Sequence, residues 1–421
     1  MAIDNGYLQL IYNKKQSDIK YDLKNIRRLA AAFGNPEKDL QFIHVTGSNG
    51  KGSVCAVLES LCIERGLRTG LFTSPHLVNY NERFRFGRKE IGDAPLKRYL
   101  GIVMKRAKSD GIDPSFFEIS TLVAILYFRD MKSDIAIMEV GLGGRLDATN
   151  IITPQCSVIT MIDYEHKRLL GDTKTKIATE KCGIVKKGVP FCTGEENPRI
   201  RNVILCEGAR RKGIFIAEPD IDVRRQNTEG DYQRIRLKLC GKDHGELRFS
   251  LLGGHQIKNL RTALTAFIAL YGPPGKGVLK RALERTSWKG RLTTISARPL
   301  IIIDGCHNTS GAVSLREELR RILKTVKGRK CLLFGMVKKK PLSRVAELLF
   351  PLFDEVNVTT FESDRARSTD SYKKHLKRYA KTYNIYNKIR DAREIVKKRL
   401  NKRDLLVVTG SLYLLGDFLK E

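Results

Sequence analysis

With 421 residues, 42% hydrophobic and 29% charged, the chain is long enough for two cores, and no run approaches the roughly 18 apolar residues that span a bilayer. Its 77 Lys and Arg against 46 Asp and Glu leave a formal net charge of +31, which suits either a nucleic-acid binder or an enzyme with anionic ligands and a cationic solvated surface. Nine cysteines, an odd number without a C-x-x-C pair, argue against a disulfide framework or structural zinc and predict reduced, mostly buried thiols.

In chain order, the opening segment "MAIDNGYLQLIYNKK" lacks a basic start, an apolar stretch and a small-residue cleavage site, so no secretion signal is expected and a cytoplasmic location is. Four buried-type strands follow in the first 165 residues: "QFIHVTG", "RTGLFTS", "DIAIMEVG" and "CSVITMID". Each ends at glycine or a polar residue, where an open α/β sheet presents its ligand edge. Residues 215 to about 252 alternate polar with apolar and predict antiparallel hairpins. After "SWKGR" the pattern restarts with "RPLIIIDG", "RKCLLFGM", "FDEVNVTT" and "DLLVVTGS", again with helices between. The fold class is therefore α/β. A mainly parallel, P-loop-type domain is expected over 1–291, and a smaller Rossmann-like α/β domain over 292–421. The densest basic stretch, 371–403, interleaves tyrosines with lysines and arginines. Ile385, Ile389, Ala392, Ile395, Val396 and Leu400 recur in it at helical spacing, which predicts solvated faces of amphipathic helices.

The segment "HVTGSNGKGS" runs from a strand through glycines and one lysine into a helix. The phosphate-loop pattern is G-x-x-x-x-G-K-[ST]. Here only Ser48 and Asn49 separate Gly47 from Gly50, and Gly52 displaces the hydroxyl of Ser53 by one place after Lys51. Strand, helix and lysine all fit a phosphate cradle at a helix N-terminus.

With this variant loop the chain resembles the Mur ligase superfamily, within it the folylpolyglutamate synthase and dihydrofolate synthase branch. The resemblance extends through "LFTSPHLVNYNERFRF", "FFEISTLVAILYF", "MEVGLGGRLDATN", "IDYEHKRLLGDTKTKIATEKCGIV", "GGHQIKN", "WKGR", "IIIDGCHN" and "VVTGSLYLLG", nearly end to end. It implies an ATP-dependent ligase that phosphorylates a pterin carboxylate (dihydropteroate, a tetrahydrofolate, or both) and couples the acyl phosphate to L-glutamate. ATP and Mg2+ are the implied cofactors, and a monovalent cation such as K+ is allowed.

On this resemblance, Ser48, Asn49, Gly50, Lys51, Gly52 and Ser53 hold the phosphates, with Lys51 on the terminal ones, where charge grows during transfer. Ser74, Glu139 and His166 are the implied magnesium ligands; a carboxylate such as Glu139 at the end of an apolar strand calls for a cation. Lys181 is implied as catalytic, a position often carbamylated in the superfamily; a salt bridge to Glu165 or Glu180 is the bland alternative. Asn259, Arg291, Asp304 and His307 match nucleotide contacts, the last two in a strand-end turn where Asn308 would also cap a helix. For the pterin, the matching positions are Asp22, Leu23, Phe117, Leu146, Asp147 and Ala148, with an aromatic to stack and an acid for the amidine edge.

Departures from the family pattern concern the acceptor more than the phosphate chemistry. Glu165 precedes His166 where aspartate is usual, Lys338 and Lys339 replace aspartates, and Asp22 and Asn25 replace a glycine and an arginine. Two other classes stand behind the ligase. A Mur ligase acting on another acid would ordinarily need about one more α/β domain ahead of the loop. A basic nucleic-acid-binding ATPase would need motifs that do not accompany the charge. The expected partners are small molecules, with no membrane and no specific nucleic acid, and a monomer is expected.

Overall fold

The computed structural model describes residues 22–420. The expectation for the segment Met1 to Lys15 lies outside them. The chain divides into two compact units: one holds the chain up to Arg224 with Ile235–Arg248 and Ile257–Thr286, the other Arg225–Arg234, Phe249–Gln256 and the chain from Ser287 onward.

The first unit is built on eight strands: β1 (Phe42–Thr46), β2 (Thr69–Phe72), β3 (Phe84–Phe86), β4 (Lys89–Glu90), β5 (Ile135–Glu139), β6 (Cys156–Ile159), β7 (Pro190–Thr193) and β8 (Ile214–Phe215). They lie in the order β4-β3-β2-β5-β1-β6-β7-β8, parallel except where β3 pairs with β2 and β4. Every residue of β1, β2, β5 and β6 is buried, because helices cover both faces. That is why these strands read as continuous apolar runs rather than alternating ones. The helix Phe116–Asp130 starts at a capping box, Ser115 with Glu118, and packs Phe128 into a core with Phe42, Phe72 and Phe84. The same Glu118 accepts the Ile26 N–H at 3.0 Å, tying down the helix Lys24–Ala32.

Next come β9 (Ile221–Glu229), β10 (Tyr232–Leu239) and β11 (Lys242–Phe249), a meander joined by two-residue turns. Cys240 and Gly241, both at positive φ, form a turn of the type that suits a tight hairpin.

The second sheet contains β12 (Thr293–Ala297), β13 (Leu300–Asp304), β14 (Lys330–Phe334), β15 (Glu355–Thr359), β16 (Thr382–Tyr386) and β17 (Leu405–Thr409), in the order β12-β13-β17-β14-β15-β16. All pairings are parallel except β12 with β13. The helical spacing read into residues 371–403 holds for Ile389–Arg399 but not for Ile385, which lies in β16. The β-branched and aromatic run Thr382 to Tyr386 pairs along β15 instead, a non-local contact that periodicity does not register.

All nine cysteines are free thiols; seven are buried, while Cys206 and Cys240 are exposed. Among the described residues no helix is long and apolar enough to cross a membrane.

Candidate active site

Strands β2, β5, β1 and β6 are neighbours and parallel, so their C-terminal ends deliver four loops to one edge of the first sheet. The loop after β1 turns at Gly47 (φ 147°) and Gly50 (φ 90°), and Lys51 opens the helix Lys51–Glu64. A Cβ on Gly47 would lie 1.7 Å from Thr160 Oγ1, and one on Gly50 would lie 2.4 Å from Asn259 Oδ1. Both glycines are thus required by backbone conformation and by space.

Partners on the exit of β6 hold the loop. Thr160 Oγ1 donates to the Asn49 carbonyl at 2.7 Å, and the Ser48 hydroxyl donates to the Asp163 carbonyl at 2.9 Å. The N–H groups of Ser48 and Asn49 donate to the Met161 carbonyl, at 2.8 and 3.4 Å. Ser48 and Asn49 thus brace the loop against the exit of β6. The first helical turn, Lys51, Gly52 and Ser53, supplies N–H groups without intrahelical acceptors. No acidic residue lies in that turn to neutralise the helix dipole. Gly50→Ala, which forces a left-handed conformation at about 1.4 kcal/mol and crowds Asn259, should raise the KM for ATP about tenfold. An unchanged KM in steady-state kinetics would place this turn outside the nucleotide site.

Two ammonium groups converge on one carbonyl. Lys51 Nζ donates to Gly47 O at 2.8 Å and Lys181 Nζ to the same oxygen at 2.9 Å. Lys181 also forms an ion pair with Glu165 at 2.6 Å. Of the two carboxylates open to it in the sequence, Glu165 is the partner; Glu180 pairs with Arg145 at 3.1 Å. Burial lowers the Lys181 pKa, Lys51 pushes the same way, and Glu165 opposes both. For Glu165, burial acts upward but is outweighed by Lys181 and Lys51, which hold the carboxyl well below its ordinary range.

Glu139 ends β5 almost fully buried, and its Oε2 accepts the Ser74 N–H at 3.0 Å, so the loop after β2 and the end of β5 meet. The Glu139 carboxylate and the Lys51 ammonium both act on the buried Cys55 thiol; its pKa is raised first by burial and then by Glu139, against Lys51. His166 is exposed, at φ 41°, immediately before the helix Lys167–Leu170.

Phe117 packs its ring 5.8 Å from that of Phe72, and a Cβ on Gly141 would come within 2.6 Å of it. Asp22 is exposed and accepts the Lys24 N–H at 2.8 Å, and Leu23 packs against the core. Leu146 is half-buried and Ala148 buried. Asp147 departs from its expected use. Its carboxylate is turned inward, accepting the N–H groups of Leu142 (2.8 Å) and Thr149 (3.0 Å) and the Thr149 hydroxyl (2.5 Å). Thr149 Oγ1 in turn contacts His44 Nε2 at 2.7 Å. Since that hydroxyl gives its proton to Asp147, Nε2 of His44 is the protonated nitrogen. Burial, assisted by Lys186, drops the His44 pKa to about 3 and keeps the ring neutral. Asp147 thus fastens the loop Gly141–Ala148 to β1, a role that residue type alone did not reveal.

In the second unit, Asp304 ends β13 and accepts the N–H groups of Leu292 and Cys306, both at 2.9 Å. Burial raises its pKa, opposed by Arg291. Arg291 Nη1 donates to the Gly290 carbonyl at 3.1 Å, and a Cβ on Gly305 would lie 2.5 Å from it. The His307 ring donates Nδ1–H to the Gly305 carbonyl at 2.9 Å. Asn308 accepts the Gly311 N–H at 2.8 Å and caps the helix Thr309–Thr325.

Residues 45–267 match the Mur ligase middle domain and residues 290–412 the Mur ligase glutamate ligase domain. The dihydrofolate synthase/folylpolyglutamate synthase of Bacillus subtilis is 30% identical over 426 residues, 97% of each chain. The dihydrofolate synthetase of Saccharomyces cerevisiae is 31% identical over 96% of this chain and 98% of its own. The chain belongs to the folylpolyglutamate and dihydrofolate synthase family of Mur ligases. A Mycobacterium tuberculosis folylpolyglutamate synthase, solved with ADP and AMPPCP, is similar at a TM-score of 0.88 and 27% identity, with 99% of this chain and 98% of that one covered. A family member from Yersinia pestis, solved with AMPPNP and a manganese ion, is similar at a TM-score of 0.83 and 25% identity over 99% of this chain and 98% of its own.

The family setting allows the implied cation to be tested against this chain's donors. Among the described residues, no three His, Cys, Asp or Glu side chains cluster closely enough to hold a metal by themselves. The buried Glu139 carboxylate and the adjoining Ser74 are nevertheless hard oxygen donors beside a helix N-terminus that attracts phosphate. They fit a divalent ion that takes its remaining ligands from a nucleotide.

Proposed function

We propose that the chain is an ATP-dependent ligase that joins L-glutamate to the carboxylate of a reduced pterin through an acyl phosphate. The observation that carries this reading is the Gly47–Ser53 loop with Lys51 at the sheet edge where Glu139 and Ser74 meet. A triphosphate accepts the N–H groups of the first helical turn, and Lys51 exchanges the Gly47 carbonyl for a terminal phosphate oxygen. A substrate carboxylate oxygen attacks the γ-phosphorus, the bond to the β-phosphate oxygen breaks, and ADP departs. The glutamate amine then attacks the acyl carbon, loses a proton, and expels inorganic phosphate. Mg2+, held by Glu139 and Ser74 with His166 as a third donor, would screen the charge between the phosphates.

The finer assignments are part of the same reading: a nucleotide-binding domain over 1–291 and a glutamate-ligase domain over 292–421, in which Asn259, Arg291, Asp304 and His307 serve the nucleotide. Asp22, Leu23, Phe117, Leu146 and Ala148 contribute to the pterin pocket, with Asp147 acting through the loop it fastens. A cytoplasmic monomer is the proposed form, with K+ as an allowed monovalent ion. Carbamylation of Lys181 would first require its release from Glu165, and the burial that depresses its pKa favours the neutral amine this needs.

The test is incorporation of labelled glutamate with ATP, offered dihydropteroate and tetrahydrofolate in parallel. ATP-dependent incorporation with one or both supports the reading, and none with either contradicts it. Glu139→Gln, which retains the shape but removes the charge, should raise the magnesium concentration needed for half-maximal rate at least tenfold. An unchanged magnesium dependence would remove Glu139 from the cation site.

A further inference from the structure

The edge of the second sheet opposite Asp304 and His307 has a chemistry that glutamate ligation does not use. Strands β14, β15, β16 and β17 run parallel and start nearly in step: Lys330 lies beside Leu405, Cys331 beside Glu355, and Glu355 beside Thr382. The helices Thr309–Thr325, Lys373–Tyr379 and Ile389–Arg399 each end at this edge, feeding the strand that follows. Their last turns carry Lys324, Lys377 with Arg378, and Lys397 through Arg399, positions that also suit the helix dipole.

The loops add cations that no helix end requires. Lys327, Lys402 and Arg403 are exposed, and among the described residues none of them has an ion-pair partner. The local carboxylates are already engaged. Asp404 accepts the N–H groups of Arg329 and Asn401 at 2.8 and 2.9 Å and pairs with the Arg329 guanidinium at 3.2 Å. Asp354 pairs with Lys381 at 3.0 Å, and Glu355 lies 3.8 Å from Arg329.

These loops border an open depression of about 700 Å³, whose lining includes Lys327, Arg329, Lys402 and Arg403 together with Asp354 and Asp404. The two loops are braced on each other: the Gly328 N–H donates to the Arg403 carbonyl at 3.1 Å, and a Cβ on Gly328 would lie 2.4 Å from that oxygen. Beside them, Tyr383 is 40% exposed on β16, the edge strand of the sheet, two residues from Lys381.

We propose that this edge binds the backbone of single-stranded nucleic acid without sequence preference, seating phosphates on Lys327, Lys402 and Arg403 and stacking a base on Tyr383. Unpaired cations along an open depression supply the phosphate sites, and a partly exposed tyrosine on the neighbouring edge strand supplies a stacking platform. A peptide of aspartates and glutamates would use the same cations but carries no base to stack on the exposed ring, so the tyrosine favours nucleic acid. The site lies on the second unit alone and is independent of the ligase reading.

The test is fluorescence anisotropy of labelled oligo-dT and oligo-U 20-mers with the full chain between 50 and 300 mM NaCl. Neutralising the phosphates on these three side chains predicts a log–log salt slope of about −2. The variant Lys327→Glu/Lys402→Glu/Arg403→Glu should weaken binding at least thirtyfold and make that slope shallower by about 2, at about 0.7 per lost contact. Tyr383→Ala should weaken it about tenfold with the slope unchanged. Glutamate ligation and the melting temperature should be unchanged in both. The variant Lys105→Glu/Lys108→Glu/Lys132→Glu alters net charge equally on the first unit and should retain binding. The proposal is overturned by absence of binding at 50 mM salt, by equal loss in the two charge variants, or by a poly-glutamate peptide of matched charge displacing the oligonucleotide equally well.

Discussion

Replacing Lys51 by alanine should lower kcat for glutamate ligation on the order of a thousandfold, with a smaller change in the KM for ATP. The asymmetry follows from where the ammonium sits. Lys51 Nζ already has an acceptor, the Gly47 carbonyl at 2.8 Å, so moving to a ground-state phosphate exchanges one partner for another. The gain comes as charge spreads over the transferring group, when a fixed cation in a dry site is worth most; removing one such donor typically costs about 10²–10³ in rate. The variant should still fold, because Lys51 opens its helix rather than filling the core, and a circular dichroism melt checks this. Full turnover by Lys51→Ala would remove the loop from the chemistry.

Lys181→Met should both destabilise the first unit and abolish most activity. The ammonium is almost fully buried and holds the Glu165 carboxylate at 2.6 Å; removing it leaves that charge in a poor environment, a loss of about 3 kcal/mol or more. For a unit of this size the midpoint should fall by roughly 5–10 °C. The double variant Glu165→Gln/Lys181→Met, with no orphaned charge, should recover much of the stability but little activity, since the Gly47 carbonyl still lacks its second donor. The pH dependence has a definite sign. The Glu165 pKa is depressed in the folded state, so its contribution is present above the unfolded value of about 4.3 and is lost as pH falls below it toward the folded value. Below about pH 4.3 the native chain should therefore lose stability that Glu165→Gln lacks at every pH. Parallel acid-unfolding curves for the two chains would remove the pair from this role.

The parts of the site that could be read from residues are those whose signal is local. A strand, a glycine turn, a lysine and a helix within "HVTGSNGKGS" place the phosphate loop, and apolar runs that end near glycine or a polar residue place both sheets. What escaped depends on contacts far apart in the chain. Asp147 looked available to a ligand, yet it is turned inward by Thr149, which His44 meets from 105 residues away. The use of the Ser48 and Asn49 amides is decided by the Met161 carbonyl, and the choice of Glu165 over Glu180 by how the β6 exit passes over the glycine loop. Strands β3 and β4 are three and two residues long, too short to carry any period. β16 is hidden inside a run of basic residues whose apolar spacing imitates a helix. Side-chain direction and short edge strands are properties of tertiary pairing, which a linear pattern does not encode.

A single isotope experiment bears most directly on the activation of a carboxylate by phosphoryl transfer. Pterin substrate labelled with oxygen-18 in its carboxylate is turned over with ATP and L-glutamate, and the inorganic phosphate is analysed by mass spectrometry. One labelled oxygen in phosphate per amide formed, with ADP as the other product, is the expected outcome. Unlabelled phosphate, or label recovered in AMP, would contradict it.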